Sequence, residues 1–184
     1  MQKKNSNERL IFSEVLDNEA NSDYMSELSS LVSANKLTIS VIESMTGGGI
    51  ARRLTETAGS SQYFLGGVVA YHQLLKIKFG LVNPKTIAKH GLVSASVTEE
   101  MALGIKKMTN SDIAIASTGI AGPTNDVYSA DQSGTVFLSW NIHDKINTKR
   151  YKLEGGRNKV IDTSVFIALS MCLRYLKNEI RKDS

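Results

Sequence analysis

The chain has 184 residues, of which 41% are hydrophobic and 22% are charged, and its formal net charge is +4. This length suffices for one sizeable hydrophobic core and is too short for two ordinary domains. No run approaches the roughly 20 apolar residues that span a bilayer, and the first nine residues lack the apolar segment of a secretory signal. The single cysteine, Cys172, excludes an internal disulfide framework and favours a reducing, cytoplasmic location.

The positive charge is spread along the chain rather than concentrated. Lysine and arginine form only short clusters, such as Arg52-Arg53 and Lys106-Lys107, and no nucleic-acid-binding module is recognisable. Binding to nucleic acid or to a membrane is therefore not expected. The basic balance would suit a small anionic substrate such as a phosphate ester, although a plain solvated surface explains it equally well.

Apolar periodicity divides the chain into alternating helices and strands. Residues 1–22 are rich in Asn, Ser, Lys and Glu, which predicts a mobile polar leader. The elements predicted after it are helix 24–34, strand 37–42, helix 50–57, strand 64–71, a short helix through residue 78, a helix that Asn83 caps and Gly91 ends, a helix that starts at the capping box Ser96-x-x-Glu99, strand 113–116, strands 134–140 and 148–153 around a turn near Asp144, and helix 158–178, in whose apolar stripe Cys172 is a core residue. Because helices and buried strands alternate without a linker, we predict a single three-layer α/β/α domain over residues 23–184, with a mostly parallel or mixed central sheet.

Two polar loops follow predicted buried strands, which is where ligands bind in open α/β sheets. The first reads Glu43-Ser44-Met45-Thr46-Gly47-Gly48-Gly49, and the second reads Thr118-Gly119-Ile120-Ala121-Gly122-Pro123. Glycines let backbone N–H groups approach a ligand, and the helix N-terminus after the first loop favours negative charge. Ser44 is placed to act as a nucleophile if a base lies nearby. The first loop is equally compatible with a structural turn, and it is neither a Walker A nor a dinucleotide-binding loop. The second loop, taken alone, is a weak signal that a plain tight turn also explains.

The base for such a serine is not settled by spacing. The three histidines, His72, His90 and His143, show no metal-ligand spacing, so we interpret each as a surface or capping residue. Lys76 lies just after the strand that ends in Tyr71, and a partly buried lysine can lose its proton near neutral pH. A serine with Lys76 or Tyr71 as its base is chemically reasonable, and both alternatives stay open.

These loops belong to a series of blocks that resembles the CinA C-terminal family over residues 25–177. In chain order the blocks are Glu43-Ser44-x-Thr46-Gly47-Gly48, Gly59-Ser60-Ser61, Phe64-Leu65-Gly66-Gly67-Val68-Val69-x-Tyr71, Lys76, Gly91-x-Val93-Ser94, Thr118-Gly119-Ile120-Ala121-Gly122-Pro123, Gly134-Thr135-Val136 and Arg157. Several multi-residue blocks in one order are far more specific than any single glycine-rich loop.

The resemblance implies an amidohydrolase of pyridine nucleotide salvage that converts nicotinamide mononucleotide to nicotinic acid mononucleotide and ammonia, with no metal or cofactor. It implies that Ser44 attacks the carboxamide carbon, with Lys76 and Tyr71 as proton-handling partners. Backbone N–H groups of Thr46-Gly47-Gly48 or Thr118-Gly119 would stabilise the oxyanion, and Arg157 would pair with the substrate phosphate. Relatives of this kind commonly form dimers, so a homo-oligomer is expected.

The chain departs from the family pattern around the expected pocket. Met45 replaces the usual Cys, His72-Gln73 the usual Ser-Asn, Thr124-Asn125 the usual Gly-Gly, and Gly156 the usual Asp. Two alternatives to the amidohydrolase therefore stay open. One is a divergent, non-catalytic relative that binds a nucleotide or a protein partner, and the other is an amidase for another small substrate.

Overall fold

The computed structural model describes residues 24–123 and 132–181, in which a five-stranded sheet lies between two layers of helices. Its elements, in chain order, are α1 (Tyr24–Ala34), β1 (Ile39–Glu43), α2 (Gly49–Thr55), a short 3-10 helix (Ser60–Gln62), β2 (Phe64–Val69), α3 (Gln73–Gly80), α4 (Pro84–His90), α5 (Ala95–Thr109), β3 (Ile113–Gly119), β4 (Thr135–Ile142), β5 (Lys145–Lys152) and α6 (Arg157–Ile180). The predicted α/β layer fold with a mixed sheet is confirmed. The predicted leader, residues 1–22, lies outside the described residues.

The sheet has the strand order β2-β1-β3-β4-β5. β1 pairs in parallel with both β2 and β3, whereas β3, β4 and β5 are antiparallel to one another. Every residue of β1 is buried, as expected for a central strand that helices cover on both faces. Because β1, β2 and β3 run in parallel, their carboxyl ends meet at one edge of the sheet, where both polar loops begin.

Two hydrophobic clusters fill the space between the sheet and the helices. The first joins α1, α2 and α6 to one face of the sheet, and it contains Val41 and the predicted core residue Cys172. The second joins α3, α4 and α5 to the other face, and it contains Ile42, Ala116 and Met101. Burial raises the pKa of the Cys172 thiol to about 12, so this cysteine is an inert core side chain. None of the helices in the described ranges is long and apolar enough to cross a membrane.

Most predicted boundaries agree with the structure to within a few residues. Asn83 caps α4 by accepting a 2.9 Å hydrogen bond from Lys85 N–H, as predicted. The hairpin turn at His143 and Asp144, both with positive φ, confirms the predicted turn between β4 and β5.

The capping box predicted at Ser96 was wrong. The N-cap of α5 is Ser94, whose backbone is extended and whose Oγ accepts from Val97 N–H (3.4 Å). Ser94 Oγ also donates to Gly91 O (3.1 Å), so this cap is tied to the end of α4. Ser96 consequently falls inside the first turn of α5 rather than before it.

Candidate active site

A cavity of about 260 Å³ opens at the carboxyl ends of β1 and β3. Its polar lining comes from Ser44, Tyr71, Lys76 and Arg157, which belong to three separate stretches of the chain. The rest of its wall is glycine or apolar, formed by Met45, Leu92, Val93, Gly119, Ile120, Ala121 and Gly122. The structure thus brings four predicted site residues and Gly119 together around one space.

Ser44 directly follows β1, and its position is fixed by the sheet. Its backbone N–H donates to Ser117 O (3.0 Å), which extends the ladder between β1 and β3. The side chain is 9% exposed and lines the cavity. Its Oγ forms no hydrogen bond with any residue in the described ranges, so the hydroxyl is not committed to a structural role.

Lys76 is the buried cation of the cavity. It is only 3% exposed, and its Nζ contacts the Met101 thioether at 3.8 Å. No carboxylate of the described residues forms an ion pair with it. Burial without a counter-charge lowers the pKa of the Lys76 ammonium to about 8, because desolvation penalises the charged form.

Close packing of α3 on α5 holds Lys76 in this buried position. A Cβ at Gly104 of α5 would lie 2.0 Å from the carbonyl oxygen of Gly80, at the end of α3. A side chain at position 104 would therefore push the two helices apart. The glycine lets α3 approach α5 closely enough for Lys76 to pack against Met101.

Arg157 and Tyr71 meet at the mouth of the cavity. Arg157 begins α6, and its guanidinium donates to Gly122 O (3.0 Å) and to the Tyr71 hydroxyl (3.2 Å). Both side chains are exposed, Tyr71 to 60%. The mouth therefore carries a positive charge that solvent or a ligand can reach.

The glycine loop after Ser44 is organised by Glu43, whose role the sequence did not indicate. The Glu43 side chain is 1% exposed, and its carboxylate accepts hydrogen bonds from the N–H groups of Gly48 (3.1 Å), Ile50 (3.1 Å) and Ala51 (2.8 Å). These are the free donors at the start of α2, so Glu43 caps that helix from within the preceding strand. An acidic residue shortly before a glycine-rich helix start was the only signal for this contact.

Several backbone donors of the predicted loops are consequently engaged. Gly47 N–H donates to Ser44 O (3.1 Å), and Gly48 N–H is held by Glu43. The N–H groups of Met45 and Thr46, and those of Ala121 and Gly122 across the cavity, donate to no residue in the described parts of the chain. These four are the donors that remain for a ligand.

Two predicted threonines lie behind the cavity rather than in its wall. Thr46 Oγ1 is hydrogen-bonded to Ser117 Oγ (2.7 Å), and Thr118 Oγ1 is hydrogen-bonded to Thr98 Oγ1 (2.9 Å). Both threonines are buried. Leu92 and Val93, which do line the wall, stood in a recognisable sequence block but received no role there.

The departures from the family pattern have separate structural positions. Met45 is buried in the cavity wall, and a Cβ at Gly119 would lie 3.2 Å from its Cγ. His72 caps α3 by accepting from Leu74 N–H (3.3 Å), in agreement with its interpretation as a capping residue. Gly156 occupies the N-cap of α6 without a side-chain hydrogen bond. Thr124 and Asn125 lie outside the described residues.

Metal ligands do not cluster in the part of the chain that the structure describes. No group of three or more His, Cys, Asp or Glu side chains that could hold a metal ion occurs there.

Comparison with known proteins places the chain in a family. The CinA C-terminal domain model matches residues 21–176. A CinA-like protein of Geobacter sp. (strain M21) is 40% identical over 149 residues, which are 81% of this chain and 36% of that protein. A CinA-like protein of Thermotoga maritima is 39% identical over 151 residues, or 82% of this chain and 36% of that protein. The chain therefore spans little more than a third of the length of these curated relatives.

Solved structures match over most of their length. A CinA superfamily protein from Klebsiella pneumoniae has a TM-score of 0.82 and 29% identity, covering 85% of this chain and 97% of that chain. The competence/damage-inducible protein CihA from Agrobacterium tumefaciens has a TM-score of 0.77 and 31% identity, covering 85% and 96%. The chain belongs to the CinA C-terminal domain family.

Proposed function

We propose that this chain hydrolyses the carboxamide of nicotinamide mononucleotide to nicotinic acid mononucleotide and ammonia, with Ser44 as the nucleophile. One observation carries the proposal. Ser44, whose hydroxyl has no structural partner among the described residues, and Lys76, whose pKa burial lowers to about 8, line the same cavity. A serine that shares a cavity with a lysine whose pKa burial has lowered has the two groups that a nucleophile and its base require.

In the proposed reaction, Lys76 takes the Ser44 proton as Oγ bonds to the carboxamide carbon. The tetrahedral intermediate collapses when Lys76 returns that proton to the leaving nitrogen, which departs as ammonia and leaves an acyl ester on Ser44. Water then attacks the ester while Lys76 takes one of its protons, and Lys76 returns that proton to Ser44 Oγ as the ester bond breaks and nicotinic acid mononucleotide is released. The proton acceptor and the proton donor are thus the same group at two stages.

The remaining cavity wall supports this choice of substrate. Met45, Leu92, Val93, Ile120 and Ala121 offer an apolar surface suited to a planar pyridine ring. The developing oxyanion has nearby candidate donors in the N–H groups of Met45 and Thr46, which follow the nucleophile directly. Arg157, at the mouth, supplies a fixed positive charge for the 5′-phosphate.

The test is ammonia release from nicotinamide mononucleotide. The wild type is compared with Ser44→Ala and Lys76→Ala, and with two control variants, Ser30→Ala on the exposed surface of α1 and Lys78→Ala on the solvent side of α3. We expect Ser44→Ala and Lys76→Ala each to lose more than about a thousandfold in kcat, because nucleophile and base act as one unit. Both controls should keep wild-type turnover.

Other outcomes would redirect the assignment. A folded wild type that binds the mononucleotide in calorimetry without releasing ammonia would indicate a non-catalytic relative. Release from other amides alone would indicate a different substrate for the same cavity. Full turnover by Ser44→Ala would show that Ser44 is not the nucleophile.

A further inference from the structure

A chain of buried hydroxyl groups runs from the sheet into α5 behind the cavity. Thr98 Oγ1 lies 2.7 Å from Ser94 O and 2.9 Å from Thr118 Oγ1. Thr98 and Thr118 are 0% and 1% exposed, so solvent does not compete for either contact. The direction of these hydrogen bonds decides whether the Thr118 hydroxyl can act as a donor or as an acceptor toward other groups.

The geometry determines where each proton points. Ser94 O is a carbonyl and can only accept, so the 2.7 Å contact requires the Thr98 hydroxyl to donate to it. Thr98 has no second hydrogen, and the 2.9 Å contact therefore requires the Thr118 hydroxyl to donate to Thr98. The hydroxyl hydrogen of Thr118 therefore points toward α5. Toward any other group, the Thr118 oxygen can act only as a hydrogen-bond acceptor.

Thr118 and Ser44 are neighbours on adjacent strand ends. Glu43 and Ser117 are Cα partners in the parallel ladder, and Ser44 N–H donates to Ser117 O. Two residues earlier on each strand, Ile42 and Ala116 both face the cluster beneath α5. Because side chains alternate along a strand, Ser44 and Thr118 lie on that same face.

Lys76 contacts α5 on the side that Thr118 also contacts. Met101, whose thioether contacts Lys76 Nζ, lies one turn after Thr98 on α5. The Cβ atoms of residues three positions apart on a helix are about 5–6 Å from each other, so Lys76 and Thr118 contact neighbouring residues of α5. Among the described residues Lys76 Nζ is paired only with this thioether, a weak acceptor, so a protonated Lys76 would gain from a hydroxyl acceptor on the same side of α5.

We propose that Thr98 is a positioning residue for this chemistry: by accepting a hydrogen bond from the Thr118 hydroxyl, it keeps the Thr118 lone pairs available to the ammonium that forms when Lys76 takes the Ser44 proton. The inference rests on the proposed function and adds a residue to its mechanism. No proton passes to Thr118 or Thr98. Thr118 accepts a hydrogen bond from the ammonium, which makes Lys76 a stronger base at the moment of attack.

Four ionisable groups of the described residues that line the cavity or lie on the elements around it have partners of their own. Tyr71 and Arg157 line the cavity with it and are hydrogen-bonded to each other. On α5, Glu100 is held by Asn83 N–H (2.8 Å) and Thr86 Oγ1 (2.6 Å). On β1, Glu43 is turned toward the start of α2.

The test titrates Lys76 directly in Thr98→Val and Thr98→Ser. Valine has the shape of threonine but cannot accept, so the Thr118 hydroxyl would turn its proton toward the lone pair of the Lys76 amine. This stabilises the neutral amine, and we expect the pKa of Lys76 to fall by about one unit or more, the size of a hydrogen bond to a charged group. The pKa is read from the ¹³Cε shift of labelled lysine, with Lys76→Arg assigning the signal.

A matched control removes an equally buried hydroxyl pair away from the cavity. Ser40 Oγ and Ser111 Oγ are 2.7 Å apart near the start of β1, and Ser111→Ala breaks that contact. We expect Ser111→Ala to leave the pKa of Lys76 unchanged and Thr98→Ser to restore it. In turnover, Thr98→Val should lower kcat by about ten- to a hundredfold with KM unchanged, and should move the acidic limb of the pH–rate profile to lower pH.

The inference is overturned if the pKa of Lys76 in Thr98→Val equals that of the wild type, or if Ser111→Ala shifts it as much. Failure of Thr98→Ser to restore the pKa also overturns it. If Thr98→Val does not fold, Thr118→Val removes the acceptor itself and should lower the same pKa. A wild type that hydrolyses no amide, with a Lys76 titration that still responds to Thr98, would reject the proposed function and leave the hydroxyl chain as described.

Discussion

The Arg157 guanidinium donates a 3.2 Å hydrogen bond to the Tyr71 hydroxyl, which joins the first residue of α6 to the residue that follows β2 by two positions. A second guanidinium nitrogen donates to Gly122 O at 3.0 Å. The two contacts hold the planar guanidinium group across the cavity mouth and leave its other N–H donors for a ligand. Tyr71 therefore has a defined role in orienting Arg157, besides the proton-handling role that the family resemblance implies for it.

Removing the Arg157 guanidinium should weaken binding of the phosphate selectively. We expect Arg157→Ala to raise KM for nicotinamide mononucleotide by about ten- to a hundredfold, because a hydrogen-bonded charge pair with the phosphate is lost. KM for nicotinamide riboside, which lacks the phosphate, should stay near its wild-type value. Steady-state kinetics with both substrates measures this. Arg174→Ala, an exposed position on the same helix, is the control, and an equal loss with both substrates would contradict the assignment.

Tyr71→Phe separates the two roles of the tyrosine. If Tyr71 acts through Arg157, its removal should change kcat/KM for the mononucleotide by less than about tenfold and should have no further effect in the Arg157→Ala background. A double-mutant cycle measures this coupling. If Tyr71 instead transfers a proton, kcat should fall by about 10²–10⁴ with both substrates, whether or not Arg157 is present.

The buried Lys76 should reduce the stability of the fold at neutral pH. A fall in its pKa from 10.5 to about 8 corresponds to a cost of about 3 kcal/mol while the folded state still carries the proton. Below pH 8 both states are protonated and the full cost applies. Between pH 8 and 10.5 the unfolded state binds more protons, so the stability of the wild type rises with pH. We therefore expect Lys76→Met to be more stable at pH 7, with the gain disappearing toward pH 10.5.

Urea unfolding of both proteins at pH 7, 9 and 10.5 measures the difference. Lys78→Met, at an exposed position of the same helix, is the control and should show no such pH dependence. A Lys76→Met protein less stable than the wild type at pH 7 would show that the amine is not desolvated as its burial indicates. The same variant should be inactive, since the thioether cannot take a proton.

Local patterns predicted the fold better than they predicted the site. The strands and the long last helix follow from apolar periodicity, which depends only on neighbouring residues. The placement of Ser44 and Lys76 around one cavity depends on parallel pairing of β1 with β2 and on close contact between Gly80 and Gly104, and no spacing in the sequence encodes either. The family resemblance supplied this pair, together with Arg157.

The remaining errors came from competition between equivalent side chains. Ser94 and Ser96 are both plausible caps, and the choice depends on a contact with the carbonyl of Gly91 that only the folded chain provides. The sequence does not indicate the capping role of Glu43, because its carboxylate reaches residues up to eight positions ahead. Such a contact forms only after the glycine loop has turned α2 back over the strand.

Glu43 should contribute strongly to stability through its three backbone contacts. We expect Glu43→Gln to destabilise the fold by about 1.5–3 kcal/mol, because the hydrogen bonds lose their charged acceptor and the amide nitrogen faces a donor. Urea unfolding measures this loss. Glu56→Gln, on the exposed end of the same segment, should leave the unfolding midpoint nearly unchanged. If the two substitutions have equal effects, the carboxylate is not the principal cap of α2.

Gly156 offers an unused capping position at the start of α6. Its φ of −73° suits any residue, a Cβ there would meet none of the described atoms within 4 Å, and no side chain in the described ranges caps the helix. Serine at this position can accept from a free N–H of the first turn and also restricts the unfolded chain, so we expect Gly156→Ser to stabilise the fold by about 0.5–1 kcal/mol. Thermal unfolding measures the gain, and Gly156→Ala separates the backbone effect from the cap. If serine gives no more stability than alanine, the hydroxyl does not cap α6. Turnover by Gly156→Ser should match that of the wild type, because the new hydroxyl carries no charge and adds no competitor for Arg157.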